Sequence, residues 1–148
     1  MKNNIIFKLI LIFIFIFNLI NFSSVNAEEF TFDITEIEIL NKGNLYKGLK
    51  RGSISTKNGI IIQADTFIYN KITNIVDAEG NVKVEDVINN YVLFSDTATY
   101  KKNEEIVITK GNSKGIDDKN RTITSDKLTY NKITNIVDAE GNVKVEDV

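Results

Sequence analysis

The chain has no cysteine, histidine, proline or tryptophan among its 148 residues, and a single methionine. Without cysteine there are no disulfides, no thiol nucleophile and no thiolate metal site. Without histidine the commonest general base near neutral pH and the usual zinc ligand are missing as well. Stability has to come from strand pairing and apolar packing. Arginine is scarce too, with only Arg51 and Arg121 beside a wealth of lysine, isoleucine and asparagine, a bias we ascribe to an AT-rich coding sequence. The formal net charge is −2. A chain with this balance lacks the basic footprint of a nucleic-acid binder, so no nucleic-acid partner is expected.

What is present begins with a targeting signal. Lys2 and Lys8 precede an apolar run from Leu9 to Phe17, and Val25-Asn26-Ala27 places small residues at −3 and −1 of a cleavage site. This is the pattern of a secretory signal peptide over 1–27, expected as a helix. An uncleaved anchor is the alternative, although Lys8, Asn18 and Asn21 interrupt the stretch needed to cross a bilayer. Residues 28–148 are then the exported domain, long enough for one modest core.

That domain repeats itself. Residues 69–87, YNKITNIVDAEGNVKVEDV, recur unchanged at 130–148. A shorter unit of about 30 residues lies inside this repeat. A small residue followed by aspartate, with tyrosine four positions after the aspartate, occurs at Ala64-Asp65…Tyr69, Ser95-Asp96…Tyr100 and Ser125-Asp126…Tyr130. Gly80, Gly111 and Gly141 each lie 15 positions beyond those aspartates, and each is followed by asparagine. A degenerate first unit is visible at Thr35-Glu36…Leu40, with Gly52 one position late.

Each unit reads as two strands joined by a polar turn such as Asn70–Asn74. In the second strand, Val76, Ala78, Gly80, Val82 and Val84 share one face, and Asp77, Glu79, Asn81, Lys83 and Glu85 share the other. Around the aspartate the apolar phase slips by one residue, which predicts a bulge or bend in every unit. Repeated bends curl a sheet. The expected fold class is therefore all-β, a twisted open β-jelly roll built from two-strand repeats. Asp65, Tyr69, Gly80, Asp96, Tyr100, Gly111, Asp126, Tyr130 and Gly141 are read as structural positions of that repeat, with the glycines on the inward face where a close approach is needed.

At these residues the chain resembles the OstA-like family, the lipopolysaccharide-transport group that includes the periplasmic protein LptA and the N-terminal periplasmic domain of LptD. The matching words are IIIQADTFIYNKITNIVDAEGNVKVED (60–86), LFSDTATYKKNEEIVITKGN (93–112) and TITSDKLTYNKITNIVDAEGNVKVED (122–147). The match runs from about Asp33 to the end and is weakest at Lys110-Gly111-Asn112-Ser113. The resemblance implies a non-enzymatic periplasmic carrier of lipopolysaccharide with no cofactor, in a bridge that reaches the outer membrane. It also implies a groove holding lipid A acyl chains, and head-to-tail edge-strand pairing with other OstA-like domains. Open edge strands are templates for such addition.

If so, the lipid contacts are the inward apolar positions: Ile37, Ile39, Ile62, Phe67, Val82, Val84, Leu93, Ile123, Leu128 and Val143. Stripes of this kind are more often plain core. Lys42, Lys47, Lys50, Arg51 and Lys57 form a basic run suited either to anionic headgroups or to a solvated loop. Asp65, Asp96 and Asp126 are too dispersed for a calcium site. The remaining alternatives are a membrane-anchored member of the same family, a secreted β-solenoid enzyme acting on glycans, and a non-functional duplicate. The sequence stops in mid-unit, since nothing after Val148 corresponds to the residues that follow Val87. From this we expect a domain shortened at its C-terminal end, either a free-standing carrier or a severed LptD-type domain.

Overall fold

A computed structural model of the chain describes residues 30–147, so the expected signal segment lies outside the described residues. Twelve strands form one antiparallel sheet: β1 (Thr31–Asp33), β2 (Ile37–Leu40), β3 (Leu45–Gly48), β4 (Gly52–Ser55), β5 (Ile60–Ala64), β6 (Thr66–Asn70), β7 (Ile75–Asp86), β8 (Tyr91–Lys101), β9 (Ile106–Ile116), β10 (Thr122–Asn131), β11 (Ile136–Glu140) and β12 (Lys144–Glu146). The helical element among the described residues is one 3-10 turn, Asn41–Gly43. The all-β expectation is met. Because every pairing is antiparallel, the parallel β-solenoid alternative is not the architecture.

The long strands explain how one sheet becomes two layers. In β7 the register with β8 runs from Ile75 to Glu79, breaks, and resumes from Val82. Gly80-Asn81 lie opposite the single residue Asp96, which is a bulge. The same break separates Phe94 from Thr97 in β8 and Ser125 from Lys127 in β10. The sheet folds along this line. One layer holds β1, β4, β5, the Val82–Asp86 half of β7, its continuation through β8 to β10, and β12. The other holds β2, β3, β6, the Ile75–Glu79 half of β7, and the strands through to β11.

The expected bend near each aspartate is therefore present, and its chemistry is visible. Gly80, Gly111 and Gly141 have φ of 83°, 75° and 74°, and the asparagines that follow are also left-handed. Asn81, Asn112 and Asn142 donate through Nδ2 to the carboxylates of Asp65, Asp96 and Asp126 at 2.7, 2.9 and 3.0 Å. The backbone N–H groups of Asp65 and Asp126 donate to the Gly80 and Gly141 carbonyls, each at 2.9 Å. Aspartates and Gly-Asn pairs thus alternate along the crease.

This corrects one reading of the glycines. Gly80 continues the inward parity of Val76 and Ala78 in the sequence pattern, but the bulge interrupts the alternation at that point. A Cβ there would meet Asp65 Oδ2 at 2.6 Å, not an inward cavity. Glycine is needed at Gly80, Gly111 and Gly141 for the left-handed backbone and for the carboxylate beside it.

Candidate functional site at the roll interior and its ends

Two rows of side chains line the inner side of one layer. Ile39, Tyr46, Tyr69, Val76, Tyr100, Val107, Tyr130 and Val137 lie in register across it, next to Ile37, Gly48, Phe67, Ala78, Ala98, Thr109, Leu128 and Ala139. Facing them, the other layer carries Phe32, Ile54, Ile62, Val84, Leu93, Gly115, Ile123 and Val145 in one row. The sequence-predicted set falls on these rows or beside them, but with unequal burial.

Ile62, Phe67, Val82, Val84, Leu93 and Leu128 are buried in one packed cluster, and Ile123 packs partly against it. The middle of the roll is filled by the chain's own side chains. Phe30 fits between the layers against Tyr69 (ring centroids 4.7 Å apart) and Tyr100 (6.2 Å). Tyr91 stacks on Tyr130 at 5.1 Å. Among the described residues no buried side-chain polar atom lacks a partner.

Ile37, Ile39 and Val143 behave differently and are not part of that buried cluster. Ile39 is 59% exposed and Val143 48% exposed, and Ile37 is exposed as well. Ile37 and Ile39 stand in the inward rows, but β2 is an edge strand with no strand beyond it among the described residues. Val143 precedes the short edge strand β12, whose Val145 ends the other layer's row, also in the open. The inward faces therefore continue uncovered at both ends of the roll.

Along the rim opposite the crease, polar side chains tie the two layers together. Asp86 ends the Val82–Asp86 half of β7 and keeps the parity of Val82 and Val84, so it points inward. Its carboxylate accepts from Tyr130 Oη at 2.7 Å, from Lys132 Nζ at 2.8 Å, from Asn89 Nδ2 at 2.9 Å and from the Ile88 N–H at 3.0 Å. Burial pushes this carboxyl up, but the Lys132, Tyr130 and backbone donors outweigh it and hold the group below its ordinary value. Burial, helped by the bond to Asp86, raises the Tyr130 hydroxyl. A second tie lies nearer the N-terminal end, where Asn58 donates to Glu105 at 2.6 Å and Tyr100 donates to the same carboxylate at 2.9 Å.

Sequence reasoning missed this rim. The available signal was parity: Asp86 is an acid on the apolar face of a strand, which calls for a buried partner.

Two members of the basic run are paired with acids. Lys50 pairs with Glu36 at 2.9 Å, and Arg51 pairs with Asp65 at 2.8 Å. The Arg51 guanidinium and the Asn81 amide hold the Asp65 carboxyl below its usual range. At the C-terminal mouth, Asp117 is clamped by Arg121 at 2.6 Å. There Tyr91, Asp117, Asp118, Arg121, Ile123, Val137, Val145 and Asp147 surround an open cleft of about 390 Å³.

An open, creased, two-layer antiparallel roll is the architecture of a β-jelly roll. The family model for OstA-like proteins matches residues 30–146, and the chain belongs to the OstA-like family. Among solved structures the fold is similar to LptH from Pseudomonas aeruginosa, described as the LptA-homologous periplasmic component of the conserved lipopolysaccharide transport device. The TM-score is 0.74 at 14% identity, over 84% of this chain and 99% of that one. No curated protein matches the sequence.

Proposed function

We propose that this chain is a non-enzymatic lipopolysaccharide carrier in the periplasm, holding lipid A acyl chains between its two layers and joining other OstA-like domains head to tail in a bridge toward the outer membrane. One observation carries the reading: the inward apolar rows run out uncovered at both ends, through Ile37 and Ile39 on one side and Val143 and Val145 on the other. Uncovered apolar surface of this kind is where a ligand or a partner domain would be expected to bind. Acyl chains entering the middle must displace packed side chains such as Phe30, which requires the rim ties at Asp86 and Glu105 to part.

The test is photo-crosslinking in cells that make lipopolysaccharide. A crosslinker at Ile39, Phe67, Leu93 or Val145 should trap lipopolysaccharide, and one at the outward Lys83 should not. Equal labelling from both faces, or none from any inward position, overturns the carrier reading. N-terminal sequencing of the exported protein separates a soluble carrier starting at Glu28 from a membrane-anchored one that keeps Met1.

A further inference from the structure

Of the two ties across the rim, one parts a pair of opposite charges and the other does not. The Asn58–Glu105 tie comes apart into groups that keep local partners. Glu105 retains the Tyr100 hydroxyl on its own layer, and Asn58 retains the Thr56 hydroxyl. The Asp86 tie is asymmetric. Asp86 retains the N–H groups of Ile88 and Asn89 at 3.0 and 3.2 Å and the Asn89 amide at 2.9 Å, all from its own turn. Tyr130 retains Asn135 at 3.4 Å. The Lys132 ammonium has only the two Asp86 oxygens as partners among the described residues, at 2.9 and 2.8 Å.

The turn does not by itself bury this lysine. Lys132 follows β10 and donates its N–H to the Glu105 carbonyl at 3.0 Å, just as Lys71 donates to the Asn44 carbonyl at 2.9 Å. The turn words at 70–74 and 131–135 are identical, yet Lys71 is exposed and the Lys132 side chain is 11% exposed, against a carboxylate that is 1% exposed. A nearly buried cation that loses its counterion is strongly destabilising, and an anion arriving as the layers part would relieve it. Tyr130 Oη and Lys132 Nζ converge on Asp86 Oδ2 at 2.7 and 2.8 Å, the arrangement of donors around one phosphate oxygen. The rim is also where the polar end of an amphiphile stays when its chains enter between the layers, because unpaired polar groups are costly among apolar rows.

We propose that Lys132 is the headgroup-recognition residue of the roll: its ammonium exchanges the Asp86 carboxylate for a phosphate of the incoming acyl lipid, with Tyr130 as the second donor. Phosphorylated lipids then open the rim more readily than uncharged ones with the same chains. The inference rests on the carrier reading above and adds to it the charge that the cargo must bear.

The experiment titrates the full chain with diphosphoryl lipid A and with its dephosphorylated form, and checks the urea midpoint of each variant. The parent should bind the phosphorylated form at least about tenfold more tightly, the factor that one charge-assisted bond contributes. Asp86→Asn, which removes the competing carboxylate, should tighten binding of the phosphorylated form, and Lys132→Arg should keep the preference. The double variant Asp86→Asn/Lys132→Gln keeps a neutral hydrogen-bonded tie and should bind both forms alike. Lys71→Gln should leave the preference within about twofold of the parent's, which separates one site from general attraction between charges. Inorganic phosphate alone should not displace the lipid, since the site is reached only by a phosphate carried on acyl chains. A preference that survives in the double variant, an equal loss in Lys71→Gln, or displacement by inorganic phosphate overturns the proposal. Equal binding of both forms by the parent overturns it while the carrier reading stands. Binding of neither form refutes the carrier and this inference with it.

Discussion

Residues 75–86 and 136–147 share one sequence and take two structures. The first is a single strand, β7, with Val82 2% and Val84 1% exposed. The second is split into β11 and β12, and its Val143 and Val145 are 48% and 66% exposed. The turns that lead into them are nevertheless alike. Asn70 and Asn131 accept from the N–H groups two and three residues on, and Asn74 and Asn135 have φ of 55° and 56°. The difference lies in the neighbours: β7 is paired on both sides, by β5 and β6 and by β8, whereas the copy is paired only by β10 among the described residues. Turn geometry here is local and travels with the sequence. Strand length and burial are supplied by the strand alongside.

Matched substitutions in the two copies test that division. The largest contrast is expected for Val84→Asp against Val145→Asp. A carboxylate at the buried site should cost at least about 3 kcal/mol or prevent folding, and the exposed site should change stability by less than about 0.5 kcal/mol. Urea midpoints of the two variants give the answer, and similar losses would mean that β12 is covered in solution.

Next comes Lys132→Met against Lys71→Met. Lys132 is paired to a buried carboxylate, so its loss should cost about 3–5 kcal/mol, while the same change at exposed Lys71 should be near neutral. This contrast carries a pH signature. Asp86 has a folded value below its unfolded one, so its contribution is full above about pH 4 and is lost as pH falls through the folded value. The gap between the parent and Lys132→Met should therefore shrink in acid. A gap that stays constant from pH 7 to pH 3 would show that the ion pair does not hold the rim.

A smaller effect is expected from Gly80→Ala and Gly141→Ala. Both glycines are left-handed and both lie against an aspartate, so each change strains the crease by about 1–2 kcal/mol. The global midpoint should move less for Gly141, beside the open edge. Smallest in energy, but most direct, is hydrogen exchange after the sequence of residues 88–101 is appended to Val148. Amides of 141–146 should become as slow as those of 80–85. Continued fast exchange would show that a neighbouring strand is not what separates the copies.

The sequence made the repeat, the two-strand unit and the bend at each aspartate legible, because alternation and the Asp/Gly-Asn spacing are local patterns. Ile62, Phe67, Val82, Val84, Leu93 and Leu128, read as inward from the strand alternation, lie in the buried cluster. What the sequence did not reveal depends on partners distant in the chain. Asp86 meets Tyr130 and Lys132, 44 and 46 positions away. The inward Ile37, Ile39 and Val143 are open because no described strand follows them in space. The degenerate first unit is a further case. Leu40 aligns with the tyrosines by spacing, but the pairing of β2 with β3, and of β3 with β6, puts Ile39 in their row.

The crease has a consequence for how such a domain changes size. Each unit carries its own aspartate and its own Gly-Asn bulge, and the bond between them is made within the unit. Length is then set in whole steps. One unit adds two strands to each layer, about 10 Å of roll at the usual spacing between strands. Copying 61 residues lengthens the molecule by two such steps without shifting any register already formed. A chain of this design can be fitted to the width of a gap by counting hairpins, with no redesign of the core.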